Sequence, residues 1–109
     1  MPGITTTDLG TANALLALVN ADRERITTLG RVSTSVLAVH QALQRQPIAT
    51  ASSLSAAIKL THATINKALA HLEKLGIVGR LNERRRGRVF SYRRYVELLN
   101  AELGPTNGH

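Results

Sequence analysis

The sequence predicts a mainly α-helical fold with a small β-hairpin and a long N-terminal helix. The 109-residue chain is 43% hydrophobic, and its apolar residues are mainly Leu, Ala, Val and Ile, with one Phe and two Tyr. This composition favours packed helices over a large β-sandwich. Apolar residues recur at spacings of three or four along most of the chain, whereas residues 77–81 and 88–92 form two strand-like segments around a polar turn.

The pattern along the chain predicts one folded domain with a tail at each end. Residues 1–8 are expected to be a disordered tail, and Asp8 can cap a long helix over residues 9–30 that ends near Gly30. We expect this helix to mediate dimerisation or to contact another domain. Residues 31–103 form the compact unit, and residues 104–109 are a C-terminal tail.

A second helix is predicted to begin after Ser33, which serves as its N-cap, and to end before Pro47. His40 lies on the apolar stripe of this helix and has no second metal-binding residue nearby. We therefore interpret His40 as a hydrogen-bonded core histidine and not as a metal ligand. The stripe of this helix that we expect to be buried comprises Val36, Leu37, Val39, His40 and Leu43.

Two further helices follow a short strand at residues 48–50. Thr50 or Ser52 can cap the first, and Thr61 has the right chemistry to cap the second after a tight connection at residues 59–61. The second helix, residues 61–75, is strongly amphipathic and ends at Gly76. Two helices joined by so few residues are typical of a helix-turn-helix unit.

A hairpin follows this unit and is itself followed by a last helix. Strands are predicted at residues 77–81 and 88–92, with an arginine-rich turn at residues 82–87 between them, and helical spacing returns over residues 93–103. This order of elements predicts a winged helix-turn-helix, in which residues 61–75 are the recognition helix and residues 82–88 are the wing.

The exposed face of the predicted recognition helix is small and polar. Asn66 is the best candidate for reading a base, because its amide can pair with adenine through two hydrogen bonds. Lys67 and His62 can reach guanine acceptors or phosphates, and the helix N-terminus suits a phosphate. The alternative is that these side chains only solvate an exposed helix. The predicted DNA-binding residues of this helix are Thr61, His62, Ala63, Thr64, Asn66 and Lys67.

Positive charge is concentrated in the second half of the chain. Of the net charge of +7, residues 59–109 contribute ten basic and four acidic residues. Arg84, Arg85, Arg86 and Arg88 lie on the predicted wing, where mutual repulsion is compensated if they contact phosphates or a minor groove. The alternative is a solvated basic surface.

Three segments of the sequence resemble bacterial winged-helix transcriptional regulators: TINKAL at 64–69, LEKLGIV at 72–78 and RRRGRVF at 84–90. Together with segments 22–26, 29–31 and 95–100, they make residues 9–103 similar to the C-terminal winged-helix region of Fic-family proteins. Fic enzymes transfer AMP through a motif of His, Phe and a Gly-Asn-Gly-Arg run, which this sequence lacks. The resemblance therefore implies the DNA-binding appendage alone.

These observations predict a non-enzymatic regulator that binds double-stranded DNA, with no catalytic residues, metal or cofactor. We expect a homodimer formed through the N-terminal helix. The alternatives are a winged-helix module that binds an acidic protein partner, or a regulatory C-terminal fragment of a Fic-type AMP-transferase. The absence of Cys and of a long apolar segment leads us to expect a cytoplasmic protein that does not enter a membrane.

Overall fold

The computed structural model describes residues 2–83 and 87–107, and the side-chain environments of residues 10–83 and 87–101. The fold is mainly helical with one small sheet, which confirms the predicted fold class. In chain order the elements are α1 (Pro2–Thr27), a 3-10 turn (Gly30–Val32), α2 (Ser33–Arg45), β1 (Ile48–Thr50), α3 (Ala51–Ala57), α4 (His62–Lys74), β2 (Gly79–Arg80), β3 (Val89–Ser91) and α5 (Arg93–Asn107).

The sheet is antiparallel, and β3 is its central strand between β1 and β2. Phe90 is paired with Ala49 on one side and with Arg80 on the other. Beyond the strands, the backbone amide of Tyr92 donates to the Pro47 carbonyl at 2.8 Å. The sheet therefore joins the start of the helix-turn-helix to both arms of the hairpin.

One apolar core lies beneath α4. Ile65, Leu69 and Leu72 of this helix are fully buried, and they join residues from α1, α2, α3 and the sheet. The side chains that α2 buries include Val36, Val39, His40 and Leu43, as the sequence predicts, while Leu37 is partly exposed at the margin. Burial of one face of α4 leaves its opposite face available to solvent.

The long first helix starts earlier than predicted. It begins at Pro2 and ends at Thr27, so the predicted disordered tail at residues 1–8 is wrong for all but Met1, which lies outside the described residues. The physical reason is that proline is tolerated in the first helical turn, where its missing amide hydrogen would have no partner. The interval between Pro2 and Asp8 contains no further proline that would stop the helix.

The last helix ends later than predicted. It continues through Gly104 and Pro105 to Asn107, so the described part of the predicted C-terminal tail is helical. Pro105 lies in the last turn of α5. A proline ring in a helix crowds the carbonyl four residues earlier and its missing amide hydrogen leaves that carbonyl without a bond, but the hydrogen bonds of the preceding turns do not depend on it. The start of α2 also differs, because Ser33 is its first residue and not a side-chain cap. The 3-10 turn satisfies that start instead, since the Ser33 amide donates to the Gly30 carbonyl.

The hairpin strands are shorter than predicted. β2 comprises only Gly79 and Arg80, although residues 77–81 were expected to be extended. Ile77 and Val78 are consecutive and both buried, so they do not alternate between two faces as a half-exposed strand requires. They pack into the core below the end of α4, and strand pairing begins only after them. Within residues 2–83 and 87–107, no helix has the length and apolar character needed to cross a membrane.

Candidate nucleic-acid interface

The ends of α4 are defined by local hydrogen bonds that the sequence predicts. Thr61 has extended backbone geometry, and its hydroxyl oxygen accepts from the Thr64 amide at 3.2 Å. At the other end, the Gly76 amide donates to the Glu73 carbonyl at 3.0 Å, and the Ile77 amide donates to the Leu72 carbonyl at 2.9 Å. Gly76 has a φ of +77°, the left-handed geometry that glycine adopts without strain in this type of C-cap.

The face of α4 opposite the core matches the predicted exposed face. Every residue proposed to contact DNA from this helix is exposed except Thr64, which is half-buried at the border. The exposed positions are Thr61, His62, Ala63, Asn66 and Lys67. The helix therefore presents short and polar side chains, and no bulky apolar group on this face would hold it away from a partner.

An open groove runs between this face and the base of the hairpin. His62, Asn66 and Ala70 line one wall, at successive intervals of four residues along α4. Arg80 and Arg88 line the other wall. Asn66, which the sequence singles out as the base reader, thus faces the same space as two arginines of the hairpin, whereas Lys67 lies on a different line of the helix surface.

Thr50 and Ser52, at the beginning of α3, also border this groove. Thr50 caps α3 in a reciprocal arrangement: its hydroxyl accepts from the Ser53 amide, and the Ser53 hydroxyl accepts from the Thr50 amide, both at 3.0 Å. This capping box sets the direction in which the chain leaves β1 and enters α3. It thereby holds the beginning of the helix-turn-helix against the hairpin.

One ion pair crosses the end of the groove between α4 and the hairpin. Arg80 Nε lies 2.9 Å from Glu73 Oε2, and Arg80 Nη2 donates to Glu73 Oε1 at 3.3 Å. Both side chains are about one-third exposed. The carboxylate thus engages the guanidinium with both oxygens, and this pair ties the last turn of α4 to the first strand of the hairpin.

The hairpin tip is organised by the side chain of Asn82. Its amide oxygen accepts from the Val89 amide at 3.3 Å, and its amide nitrogen donates to the Gly87 carbonyl at 3.4 Å. The Leu81 amide donates to the Val89 carbonyl at 2.8 Å, and Gly87 has a φ of +65°. Among the predicted wing residues, Arg88 is half-buried on the groove, while Arg84, Arg85 and Arg86 lie outside the described residues.

A buried polar chain supports the hairpin from below. Tyr92 follows β3, and its hydroxyl donates to Asp22 Oδ2 of α1 at 2.7 Å and lies 2.9 Å from His40 Nε2 of α2. Asp22 also lies 3.7 Å from Arg25 Nη1, and Arg25 Nη2 donates to the Leu75 carbonyl at the end of α4. The polar chain therefore connects α1 with both the end of α4 and the end of the hairpin.

The protonation states in this chain follow from its burial. Burial is the largest cause that lowers the pKa of His40, with Arg23 adding to the effect and Asp22 opposing it. Burial, followed by the hydrogen bond to Asp22, raises the pKa of the Tyr92 hydroxyl, which therefore keeps its proton. His40 is buried and hydrogen-bonded, which confirms its predicted role in the core. In the described parts of the chain, no group of three or more His, Asp or Glu side chains has the arrangement of a metal site.

Among the charged residues of the groove, sequence reasoning missed Glu73 and Arg80. The periodicity of α4 does not identify Glu73 as part of a site, because an acidic residue in the last turn of a helix normally faces solvent. The pairing could have been predicted from the short separation of Glu73 and Arg80 along the chain. The turn at Gly76 brings the end of α4 beside the strand that follows it. An acid and a base on either side of such a turn can pair across it.

Comparison with known proteins gives structural similarity without sequence similarity. No model of a protein family matches the chain, and no curated protein matches it in sequence. The crystal structure of a MarR family transcription regulator superposes with a TM-score of 0.54 at 21% identity, covering 96% of this chain and 72% of that one. This similarity and the order of elements establish the winged helix-turn-helix fold.

Two other solved structures are also similar. The oxidized form of MarR from E. coli gives a TM-score of 0.46 at 14% identity, covering 85% of this chain and 80% of that one. A MarR family protein from Bacillus stearothermophilus gives 0.44 at 18% identity, covering 99% and 81%. The resemblance to the C-terminal region of Fic-family proteins stays a prediction from the sequence.

Proposed function

We propose that this protein binds double-stranded DNA and regulates transcription, with α4 in the major groove and the hairpin on the adjacent backbone. The observation that carries the proposal is the position of Asn66 on a small polar helix face, opposite Arg80 and Arg88 of the hairpin. A major groove about 12 Å wide admits a helix whose exposed side chains are short. One solved structure that is similar in fold is that of a transcription regulator.

In this proposal, different parts of the exposed face of α4 have different tasks. Asn66 is suited to adenine, because its amide offers one donor and one acceptor in the spacing of the adenine major-groove edge. His62 and Thr61 lie at the beginning of α4, where free backbone amides and the helix dipole favour a phosphate. Lys67 is exposed beside this line and would contact backbone phosphates.

The charge on the hairpin supplies affinity that does not depend on sequence. Arg84, Arg85, Arg86 and Arg88 would neutralise phosphates or enter a narrow minor groove next to the site of α4. Each phosphate that a cation neutralises releases condensed counterions, so binding should weaken as salt rises. In this proposal, residues 31–103 form the DNA-binding domain.

We further propose that the protein acts as a homodimer formed through α1. Leu16, midway along this helix, is 59% exposed, which leaves a large apolar side chain for a second copy to cover. A two-fold dimer would place two α4 helices on a palindromic site and would double the contacted length of DNA.

The first experiment is a titration of the purified full chain into a fluorescently labelled random-sequence duplex, followed by anisotropy at several salt concentrations. We expect dissociation constants of roughly 10⁻⁶ to 10⁻⁴ M at physiological salt and a steep inverse dependence on salt. Sedimentation of the same samples measures the oligomeric state. Failure to bind at low salt would refute the proposed function and would favour an acidic protein as the partner of the basic surface.

A further inference from the structure

The ion pair between Glu73 and Arg80 places a carboxylate on the wall of the groove that we assign to DNA. Such a group would ordinarily weaken binding, because it repels phosphates that enter the groove. Both carboxylate oxygens of Glu73 nevertheless face Arg80, at 2.9 and 3.3 Å. The charge of this acid is therefore directed at a neighbouring cation of the same surface.

The geometry of the pair fixes the direction of the guanidinium. A guanidinium is planar and carries five N–H donors. Contacts of Glu73 with Nε and Nη2 occupy one edge of that plane. The remaining donors, including those on Nη1, must then point away from the carboxylate, and Arg80 lines the same groove as Asn66.

Both ends of this pair are held by the backbone. Glu73 lies in the last turn of α4, where its carbonyl accepts from the Gly76 amide at 3.0 Å. Arg80 lies in β2 and is paired with Phe90 of β3. Since neither backbone can shift freely, the ion pair fixes the guanidinium of Arg80 relative to the face of α4.

We propose that Arg80 contacts a DNA phosphate and that Glu73 is a positioning residue that holds Arg80 ready for this contact. The inference rests on the proposed function, since it assigns a role within the same DNA-binding surface. It makes an acidic residue favourable for binding a polyanion. Net charge alone predicts that removing Glu73 strengthens DNA binding, whereas a positioning role predicts that its removal weakens binding.

The test is a double-mutant cycle on the full chain, with affinity for a fluorescently labelled random-sequence duplex as the readout. Arg80→Ala and Glu73→Ala should each weaken binding, by about threefold to tenfold, as expected for coupled neighbouring groups. In the Arg80→Ala background, Glu73→Ala should instead strengthen binding, because it then removes an unpaired carboxylate from the groove. A purely structural role for Glu73 does not produce this reversal of sign.

Glu83→Ala is the matched control, since it removes the same charge from an exposed position in the hairpin. It should leave affinity unchanged or increase it. Thermal unfolding of all variants identifies any that are not folded, and Glu73→Gln, which keeps an acceptor near Arg80, should restore part of the affinity. If Glu73→Ala strengthens binding in the wild-type background, the positioning role is refuted while the proposed function stands. If the wild-type chain does not bind the duplex, both are refuted.

Discussion

The hydroxyl of Tyr92 donates a hydrogen bond of 2.7 Å to Asp22 Oδ2, and so joins the end of β3 to the first helix. A tyrosine hydroxyl has one proton to donate, so the contact of 2.9 Å with His40 Nε2 requires the histidine to donate to the Tyr92 oxygen. His40 therefore carries a hydrogen on Nε2. The buried chain links α1, α2 and the end of β3, so its loss should reduce the stability of the fold.

Tyr92→Phe should reduce the free energy of unfolding by about 1–3 kcal/mol, because it leaves the buried Asp22 carboxylate and the His40 donor without their shared partner. Urea unfolding followed by circular dichroism measures the change. Tyr95→Phe is the matched control: its hydroxyl donates to the Gln44 carbonyl at 3.2 Å in a half-buried position, so a smaller loss is expected. If both variants lost the same free energy of unfolding, the hydrogen bond to Asp22 would contribute no more to stability than the half-buried bond of Tyr95.

His40 should make stability depend on pH. Burial lowers its pKa in the folded protein below the ordinary value of 6.5, so the unfolded chain binds the proton first as the pH falls. Its contribution to stability is therefore fully present above pH 6.5 and is lost as the pH drops through the lower pKa of the folded state. Unfolding of the wild type and His40→Gln at a series of pH values tests this, and the variant should have the flatter profile. The ring resonances of His40, followed by NMR, should titrate below pH 6.5, and titration above that value would contradict the prediction.

Local chemistry explains why much of the fold could be predicted from the sequence. Thr61 and Gly76 define the ends of α4 through contacts within a few residues, and such contacts depend only on nearby sequence. The buried face of α4 also follows from the spacing of its apolar residues. The exposed position of Asn66 was predictable for the same reason, since helical geometry fixes the opposite face once the core face is known.

Contacts between residues that are far apart in the sequence could not be predicted. Asp22 and Tyr92 are 70 positions apart, and Tyr92 and His40 are 52 apart, so no local pattern shows that they meet. Asp22 is buried one turn before the buried Ile26 of α1, and a buried carboxylate needs a hydrogen-bond partner. Helical spacing does not identify that partner. The short length of β2 also depends on contacts with distant residues. Ile77 and Val78 are buried in the core, and strand pairing begins only after them.

Leu72→Ala tests the assignment of the core face of α4. Leu72 is fully buried, so truncation removes apolar contacts and leaves a cavity, at a cost of about 2–5 kcal/mol. The free energy of chemical unfolding measures this cost. Ala70→Ser, on the exposed face of the same helix, should change stability by no more than about 0.5 kcal/mol. If the two variants unfolded at the same denaturant concentration, the buried and exposed faces would have been assigned incorrectly.

The wing arginines should act through the salt dependence of binding. Arg85→Ala should weaken binding to all duplex sequences by a similar factor, and should reduce the slope of log affinity against log salt by about one unit if one phosphate contact is lost. Anisotropy titrations at several salt concentrations measure the slope. Arg31→Ala removes the same charge from the turn that precedes α2, far along the chain from the hairpin, and should retain the wild-type slope. An unchanged slope for Arg85→Ala would place that side chain away from the DNA backbone.

Asn66 should determine sequence preference, whereas its neighbour Lys67 should not. Asn66 lines the groove and can bond adenine through two hydrogen bonds, so Asn66→Ala should cost about 1–3 kcal/mol on a preferred site and relax the preference at one base position. Selection from a random duplex pool, carried out in parallel with the wild type and the variant, identifies that position. Lys67→Ala is the control, because a phosphate contact from an equally exposed position lowers affinity for every sequence alike. If Asn66→Ala weakened binding uniformly and left the selected site unchanged, α4 would contact DNA without reading a base at this residue, and the preference would have to arise elsewhere on the surface.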